Sequence, residues 1–435
     1  MDESRFGYFR WLLVFWLFIL SAISFLDRVN ISVAGTAIAS DYRLSQVQLG
    51  WVFSAFLWGY ALFQTFGGWL ADRLGPRRVL TSGVVWWGIF TALTAAISPR
   101  ISGAVFIFVI VRFLLGAGEA IIFPASNQFI SRWIPTKERG TANGLIFAGV
   151  GAGAGSAPAF VTYVMVHYGW RWSFWLSALI GLLVGLVWFL AARDTPETHP
   201  RVSRAELARI QTGRTFDLPS TSSAESKPRR VPWRVILQSK DVWGVTLSYF
   251  CFGYVAWIFF SWFYIYLAKV RGLDLKSSAF YSSLPPFAMV ACSLLGGIIN
   301  DQLTRTYGKR AGRCGIAVFA LLLAAFLLVI GSHAASARLA SLVLAGGAGA
   351  LYLSQSSYWS VTADIAGTSA GSASGFMNMG AQLGGAVTAI LTPVIAAHFG
   401  WTYPFLIAAS FSALGAFAWL AVDPTRNLAH PGQTS

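Results

Sequence analysis

Long apolar stretches recur along almost the whole chain, and they constrain its fold more than any other feature. Twelve of them have roughly the 20 residues that an α-helix needs to cross a bilayer. Only 11% of the 435 residues are charged, against about 25% in soluble domains, which is too few to cover a water-exposed surface of this size. We therefore predict an all-α polytopic membrane protein with twelve transmembrane helices. The predicted spans are 11–36, 47–71, 79–98, 103–131, 141–167, 171–192, 242–269, 279–301, 312–332, 338–362, 371–398 and 401–422.

One long polar segment, 193–241, separates the sixth span from the seventh. It is rich in Ser, Pro and Arg and has no long apolar run, which is typical of a linker. The chain would then consist of two six-helix bundles, 1–192 and 242–435, the second ending in a short tail. Ser203 and Glu206 form a capping-box pattern that predicts a short amphipathic helix in the linker. A wholly disordered linker is the alternative.

The two predicted bundles repeat parts of each other's sequence. A shift of 231 residues places Gly144, Gly149, Gly153, His167, Gly169, Trp170 and Phe174 on Gly375, Gly380, Gly384, His398, Gly400, Trp401 and Phe405. A shift of 229 residues places Ser54, Gly67, Gly68 and Asp72 on Ser283, Gly296, Gly297 and Asp301. This repetition predicts that the bundles are pseudo-symmetric, as in one large class of transporters that place their binding site between two such halves.

The net charge of +15 comes mainly from basic residues in the loops and the linker. Because Lys and Arg are enriched in cytoplasmic loops, their distribution predicts that both termini and the linker face the cytoplasm. No basic stripe with interleaved aromatic residues lies outside the spans, so we do not expect nucleic acid as a partner. Cys251, Cys292 and Cys314 lack the spacing of metal ligands or of a disulfide framework, and we expect no metal or cofactor.

Four charged residues interrupt the predicted spans: Asp27 and Arg28 in the first, and Arg112 and Glu119 in the fourth. Each costs about 2.5–3.5 kcal/mol on insertion scales, and such residues usually face a polar cavity. Arg112 and Glu119 are seven residues apart and therefore share one helix face. Arg28 offers a permanently charged fork suited to a carboxylate, while Arg112 is expected to be the charge partner of the acids. The pattern predicts an anion path beside proton-binding groups, and the alternative is a static buried ion pair that only fixes helix packing.

The loop after the second predicted span resembles the G-x3-D-x2-G-x-R-R/K signature of the major facilitator superfamily. The matching residues are Gly68, Asp72, Arg73, Gly75, Arg77 and Arg78, and a weaker copy after the eighth span contains Asp301. A carboxylate at this place can cap a neighbouring helix N-terminus or pair with an arginine, so we expect a cytoplasmic latch. The alternative is an ordinary charged turn that only sets the topology.

A narrower resemblance extends over nearly the whole chain. Its motifs lie at 25–30, 50–56, 112–120, 169–172 and 194–200, and they resemble the anion:cation symporter family. That family includes bacterial transporters for galactonate, glucarate, hexuronates, tartrate and phthalate and is related to animal sialin. The resemblance implies the major facilitator fold, a monomer in the bacterial cytoplasmic (inner) membrane, and import of a small organic carboxylate together with protons. It also implies that Asp27 and Glu119 bind the transported protons.

Further substrate contacts are expected on both halves. The resemblance implies that Tyr60 on span two and Asn378 on span eleven contact the substrate. Gln64, one helical turn after Tyr60, either joins them or makes only a helix–helix hydrogen bond. Trp359 and Ser360 on span ten could stack on or bond to the substrate, although aromatic residues in spans more often serve packing.

Taken with the resemblance, the sequence predicts a proton-coupled symporter that imports a sugar acid, such as an aldonate, aldarate or hexuronate, by alternating access. Two alternatives within the same class are a transporter of aromatic carboxylates and a proton-antiport exporter of a drug or metabolite. A membrane sensor would need a signalling domain, for which the 193–241 linker is too short. An enzyme is not expected, because no nucleophile–base pair or metal cluster stands out.

Overall fold

A computed structural model describes residues 7–213 and 230–428, and every regular element in these ranges is helical. The first half contains α1 (Phe9–Tyr42), α2 (Gln46–Leu74), α3 (Pro76–Ala96), α4 (Ala104–Glu119), α5 (Ile122–Trp133), α6 (Arg139–Tyr168) and α7 (Trp170–Ala191). The linker contributes α8 (Arg204–Thr212) and α9 (Trp233–Gln238). The second half contains α10 (Lys240–Ser261), α11 (Phe263–Ile265), α12 (Leu275–Tyr307), α13 (Ile316–His333), α14 (Ala337–Leu353), α15 (Gln355–Ala366), α16 (Ala370–Phe399) and α17 (Thr402–Leu420).

These helices form the twelve predicted spans. Ten helical stretches of the described ranges are long and apolar enough to cross a membrane. One of the ten, Ala337–Phe399, contains two spans, since α14 and α15 run one way and α16 returns. The remaining span is α2, a helix of 29 residues that carries glycine, glutamine and aspartate among its apolar residues. The prediction of an all-α membrane protein with twelve spans in two bundles is therefore confirmed.

Spans four and ten are interrupted at corresponding places in the two halves. Span four breaks at residues 120–121, between α4 and α5, and span ten breaks at Ser354, between α14 and α15. Pro124 explains the first break, because it has no N–H to donate to the carbonyl group four residues earlier. Each break leaves a polar residue beside it, Glu119 before the first and Gln355 after the second. Paired interruptions of this kind in transporters indicate the level of the binding site.

Glycines hold α2 directly against α4. A Cβ atom at Gly59 would lie 2.0 Å from the carbonyl oxygen of Phe113, and one at Gly116 would lie 2.2 Å from that of Phe56. Backbone atoms therefore meet here without intervening side chains, as is common between membrane helices. This contact fixes the position of Tyr60, the residue after Gly59, relative to the charged residues of α4.

The linker helix α8 packs against the start of the first half. The Ser203 side chain accepts a hydrogen bond of 3.1 Å from the backbone N–H of Glu206, as the capping-box pattern predicts. The Glu206 carboxylate does not complete the box. It accepts hydrogen bonds from the backbone N–H groups of Phe9 (3.3 Å) and Arg10 (3.1 Å), and it pairs with the Arg10 guanidinium at 2.9 Å. The amides at the start of α1 lack helical partners and so compete successfully for this carboxylate. A wholly disordered 193–241 linker was the alternative, and α8 contradicts it; residues 214–229 of the linker lie outside the described residues.

His199 connects the end of α7 to α1 and α5. Its ring lies 4.3 Å from that of Phe9 and 5.8 Å from that of Trp133, measured between centroids. Its Nε2 lies 2.8 Å from the carbonyl oxygen of Ala191, and its Nδ1 accepts from the N–H of Arg201. An acceptor at Nδ1 requires neutral imidazole with the proton on Nε2. Burial lowers the pKa of His199, and the positive charges of nearby arginines act in the same direction.

We predict that Gly59→Ala destabilises the protein and that Gly50→Ala does not. The first substitution forces a methyl group against the Phe113 carbonyl, and overpacking of this kind costs about 1–3 kcal/mol. Gly50 lies on the same helix with nothing within 4 Å of an added Cβ atom. Thermal unfolding of the detergent-solubilised proteins, followed by tryptophan fluorescence, checks this prediction. Equal melting temperatures for the two variants would contradict the packing described for α2 and α4.

We predict that the stability of the protein declines below about pH 6.5 in part through His199. Folding lowers the pKa of His199, so on acidification the unfolded chain takes up the proton at a higher pH than the folded protein does. The free energy of unfolding therefore decreases as the pH is lowered. Unfolding between pH 7.5 and 5.5 should therefore depend less on pH in His199→Gln than in the wild type. The exposed His398 supplies the control, since His398→Gln should keep the wild-type slope.

Candidate functional site

An ion pair lies at the centre of the first half. The Nε–H of Arg28 donates to Oε1 of Glu119 at 2.5 Å, and the Ser24 hydroxyl donates to the same oxygen. α1 and α4 supply the two charges, and Glu119 is the last residue before the break in span four. The Arg28 side chain remains 14% exposed while that of Glu119 is only 1% exposed. The arginine is therefore the member of the pair that a ligand can reach.

Aromatic rings surround the guanidinium group of Arg28. Its Cζ lies 4.0 Å from the ring centroid of Tyr60, 4.4 Å from that of Phe25 and 5.4 Å from that of Phe56. Arg112 lies over Phe56 as well, at 5.0 Å, so the two guanidinium groups share one ring. Cation–π contacts stabilise a desolvated guanidinium by up to about 2 kcal/mol. These rings hold the Arg28 guanidinium group in its orientation.

Several polar atoms of the cluster lack hydrogen-bond partners in the described part of the chain. They are Oδ1 and Oδ2 of Asp27, Nη2 of Arg28, Nε of Arg112 and Oε2 of Glu119. Asp27 faces the side chains of Ser177 and Trp87, and the nearest charges that act on it are those of Glu119 and Arg112. Buried polar atoms without partners are rare in native proteins and require an explanation. A carboxylate ligand and exchangeable protons would satisfy this set.

Gln64 and Asn378 meet across the two halves. The Asn378 side chain donates a hydrogen bond of 2.9 Å from Nδ2 to Oε1 of Gln64, joining α16 to α2. Both residues are buried, and Nε2 of Gln64 has no partner among the described residues. Tyr60 lies one turn along α2 from Gln64, so three of the predicted substrate contacts form one continuous strip.

Trp359 and Ser360 face different neighbours. The indole N–H of Trp359 donates to the Tyr249 hydroxyl at 3.1 Å, and its ring packs on Phe123 and Phe147 of the first half. Ser360 instead accepts a hydrogen bond of 3.4 Å from Nδ2 of Asn143 on α6. Trp359 therefore lies against aromatic rings of the first half, while Ser360 contributes to the contact between α15 and α6.

Two carboxylates join the halves at the end of the bundle that carries the linker, which we call the linker end. Asp72 accepts hydrogen bonds from the backbone N–H groups of Gly371 (3.0 Å) and Ser372 (2.9 Å) and from the Ser372 hydroxyl. Asp301 accepts from the backbone N–H groups of Gly140 (2.8 Å) and Thr141 (2.6 Å). Each aspartate thus caps the first helical turn of a span in the opposite half. We refer to these two caps as the latch.

The other members of the loop signature have distinct surroundings. A Cβ atom at Gly68 would lie 2.0 Å from the Gly371 carbonyl oxygen, so this glycine permits the contact between the halves. Gly75 has φ of 90°, which favours glycine. Arg77 stays within its own half, donating from Nη2 to the Phe189 carbonyl at 2.7 Å. Arg73 and Arg78 are exposed at the surface, with Arg73 over the ring of Trp69.

Residues that the sequence analysis did not select reinforce the linker end. Asp364 pairs with Arg139 of the first half at 2.5 Å and with Arg313 of the second at 3.1 Å, and all three are fully buried. Asp194 accepts from the backbone N–H of Arg77 at 2.9 Å, which explains the acidic residue at the start of the 194–200 motif. Charged residues at span ends were the only sequence signal for these contacts, and that signal does not identify partners.

Comparisons with known proteins match this architecture. The sequence profile described as Major Facilitator Superfamily matches residues 17–389 and 360–435. The probable sulfoacetate transporter SauU of Cupriavidus necator is 33% identical over 413 residues, which cover 94% of this chain and 93% of that protein. The probable galactarate/D-glucarate transporter GarP of Escherichia coli K12 is 31% identical over 312 residues, 70% of each chain.

A solved structure has the same fold. The proton:xylose symporter XylE, bound to 6-bromo-6-deoxy-D-glucose, superposes with a TM-score of 0.76 over 97% of this chain and 98% of that chain, at 16% identity. The profile match and the solved structure agree with the twelve-helix fold. The chain therefore belongs to the Major Facilitator Superfamily, and it is a membrane transporter of organic anions rather than an enzyme.

Proposed function

We propose that the protein is a proton-coupled symporter that imports a small organic anion, and specifically a sugar acid. The observation that carries this proposal is the Arg28–Glu119 ion pair, which is buried in a membrane-spanning bundle yet leaves the arginine partly accessible. The relatives named as transporters of sulfoacetate, galactarate and glucarate support an organic anion as the cargo. A guanidinium group in an apolar site selects anions over cations.

The direction of access follows from the distribution of charge and of contacts. We assign the linker end to the cytoplasm of a bacterial inner membrane, because the basic loops and the linker lie there. Among the described residues, the hydrogen bonds and ion pairs between the halves lie at this end or at the level of Gln64 and Asn378. The described state is therefore closed toward the cytoplasm, and it would take up its substrate from outside. In this proposal the protein acts as a monomer.

Proton and substrate are coupled in this scheme through competition for Arg28. While Glu119 is ionised it occupies the Nε–H of Arg28 and compensates the charge of the guanidinium group. Protonation of Glu119 removes that acceptor, and a carboxylate on the substrate then replaces it as the counter-ion. Asp27 and Arg112 interact electrostatically with Glu119 and with each other. A proton on Asp27 removes a second negative charge from the site and so further favours an incoming anion. Coupling exists because proton and substrate favour the same conformation.

Substrate contacts on both halves would then favour closure around the cargo. Tyr60 and Gln64 approach it from α2, Asn378 from α16 and Trp359 from α15. The halves rock about the site, and the latch at Asp72 and Asp301 opens as the cytoplasmic side separates. Release of the substrate and then of the proton restores the Arg28–Glu119 pair.

We predict that Glu119→Gln abolishes accumulation but leaves exchange. The amide preserves the size of the side chain and cannot release a proton, so an imposed proton gradient no longer drives uptake. In proteoliposomes with an inward proton gradient, labelled sugar acid should concentrate inside with the wild type and only equilibrate with the variant. Exchange of internal for external substrate should continue in both.

The matched control is Glu197→Gln, the same change at an exposed position of the linker, which should accumulate substrate like the wild type. Accumulation that persists in Glu119→Gln, or wild-type uptake that ignores the gradient, would refute the proposed coupling.

We also predict that sugar acids raise the melting temperature of the purified protein and that organic cations do not. A ligand at one hundred times its Kd stabilises the folded state by about 2.7 kcal/mol. Arg28→Lys should remove this effect because a lysine cannot reproduce the planar fork, whereas Arg100→Lys at an exposed loop should retain it. Stabilisation by organic cations but not by carboxylates would instead favour the exporter alternative.

A further inference from the structure

Charge is distributed unequally between the two halves. The centre of the first half holds two acids and two arginines, whereas the charged residues of the second half lie only at the ends of its membrane-spanning segments. Asp, Glu, Lys and Arg are absent from 242–268, 277–300, 316–337, 339–363 and 365–422. The second half can therefore offer only neutral groups to a ligand at the centre of the bundle.

The charged residues that are buried in the second half belong to the linker end. Asp301 caps α6, and Arg313 donates to the carbonyl oxygen of Thr136 at 2.6 Å while it pairs with Asp364 at 3.1 Å. Asp241 contacts Arg426 and the backbone N–H of Asp423, beyond the end of α17. None of these contacts lies at the level of the breaks in spans four and ten.

A neutral polar cluster lies at the break in span ten. Tyr249 on α10 accepts two hydrogen bonds through its hydroxyl oxygen, one from Nε2 of Gln355 at 2.8 Å and one from the indole of Trp359 at 3.1 Å. Tyr249 is 3% exposed and Gln355 is 2% exposed. Gln355 is the first residue of α15, so it lies directly after the break in span ten, whereas Glu119 lies directly before the break in span four.

This cluster retains unused hydrogen-bonding capacity. Oε1 of Gln355 has no partner in the described part of the chain. The opposite orientation of the amide would pair Oε1 with the Tyr249 hydroxyl and leave Nε2 free instead, so one polar atom of Gln355 is unpaired in either case. In the orientation described, the Tyr249 hydroxyl also keeps its own proton for donation. The Tyr249 hydroxyl proton and Oε1 of Gln355 are thus an adjacent donor and acceptor. One hydroxyl group of a ligand could accept from the first and donate to the second.

The cluster faces the charged half through a shared aromatic wall. Trp359 packs on Phe123 with 6.0 Å between ring centroids, Phe123 contacts Phe25 at 6.4 Å, and Phe25 lies under the Arg28 guanidinium. Arg28 and Trp359 thus lie at two ends of one run of rings across the boundary between the halves. A ligand along this wall would meet the cation at one end and the neutral cluster at the other.

We propose that Gln355 and Tyr249 bind a hydroxyl group at the uncharged end of the substrate, and that the site therefore selects monoanionic hydroxy acids of the aldonate type over dianions of the aldarate type. This inference rests on the proposed function and narrows its substrate class. A carboxylate beside Gln355 would be buried without a cation, and desolvation of an unpaired charge is strongly unfavourable. Sites with buried polar groups also discriminate strongly against analogues that cannot pair with them.

Galactonate and galactarate test this proposal because they differ only at the sixth carbon, a hydroxymethyl group in one and a carboxylate in the other. Isothermal titration of the purified full-length protein at neutral pH measures both dissociation constants. We expect the wild type to bind galactonate at least about tenfold more tightly. Gln355→Leu should weaken galactonate binding by about tenfold and leave galactarate binding nearly unchanged, so that the ratio of the two constants falls toward one.

Tyr249→Phe provides a second test should Gln355→Leu fail to fold, and it should lower the same ratio. Its matched control is Tyr358→Phe, since the Tyr358 ring packs on that of Tyr249 at 4.5 Å but its hydroxyl contacts Ser248 at 2.8 Å rather than Gln355. Tyr358→Phe should keep the wild-type ratio. Wild-type binding of galactarate as tight as that of galactonate, or an unchanged ratio in folded Gln355→Leu and Tyr249→Phe, would overturn this inference alone. Binding of neither acid by the wild type would overturn the proposed function as well.

Discussion

The ion pair between Arg28 and Glu119 is the interaction on which the rest of the structure depends. A charge buried in a bundle is tolerated only while another charge or a set of hydrogen bonds compensates it. The rings of Tyr60, Phe25 and Phe56 surround the guanidinium group and leave only part of it accessible. In the proposed mechanism, a proton on Glu119 leaves the Arg28 guanidinium without its counter-ion, and an anionic substrate then replaces it. Coupling in this scheme arises from electrostatics within a single half.

Features that repeat locally along the chain could be predicted from the sequence. Hydrophobic length identified the twelve spans, since every backbone polar group in a bilayer must be satisfied within a helix. Charged residues inside apolar runs are costly to place in a membrane and usually face a polar cavity, and this rule singled out Asp27, Arg28, Arg112 and Glu119. The capping role of Asp72 was also predicted, since the carboxylate follows a span and a helix N-terminus offers free N–H groups.

Choices of partner between distant segments could not be predicted. Ser203 predicted its own helix correctly, but the Glu206 carboxylate binds the start of α1, almost 200 residues earlier in the chain. The pairing of Gln64 with Asn378 and the cluster of Tyr249 with Gln355 depend in the same way on how closely two helices approach. That distance is set by glycine contacts and helix breaks throughout the bundle, and composition or periodicity does not encode it.

Across the boundary between the halves, the latch binds main-chain amides and one serine hydroxyl, while Arg313 of the same half pairs with Asp301 at 3.2 Å. Every amino acid except proline supplies an identical N–H group, so the chemical identity of the capped residues contributes little to the attraction. Their volume matters instead, because a Cβ atom at Gly140 would lie 2.7 Å from the carbonyl oxygen of Gly297 and one at Gly371 would lie 2.5 Å from that of Gly68. Substitution of these glycines should accordingly be limited by the volume of the new side chain more than by its polarity.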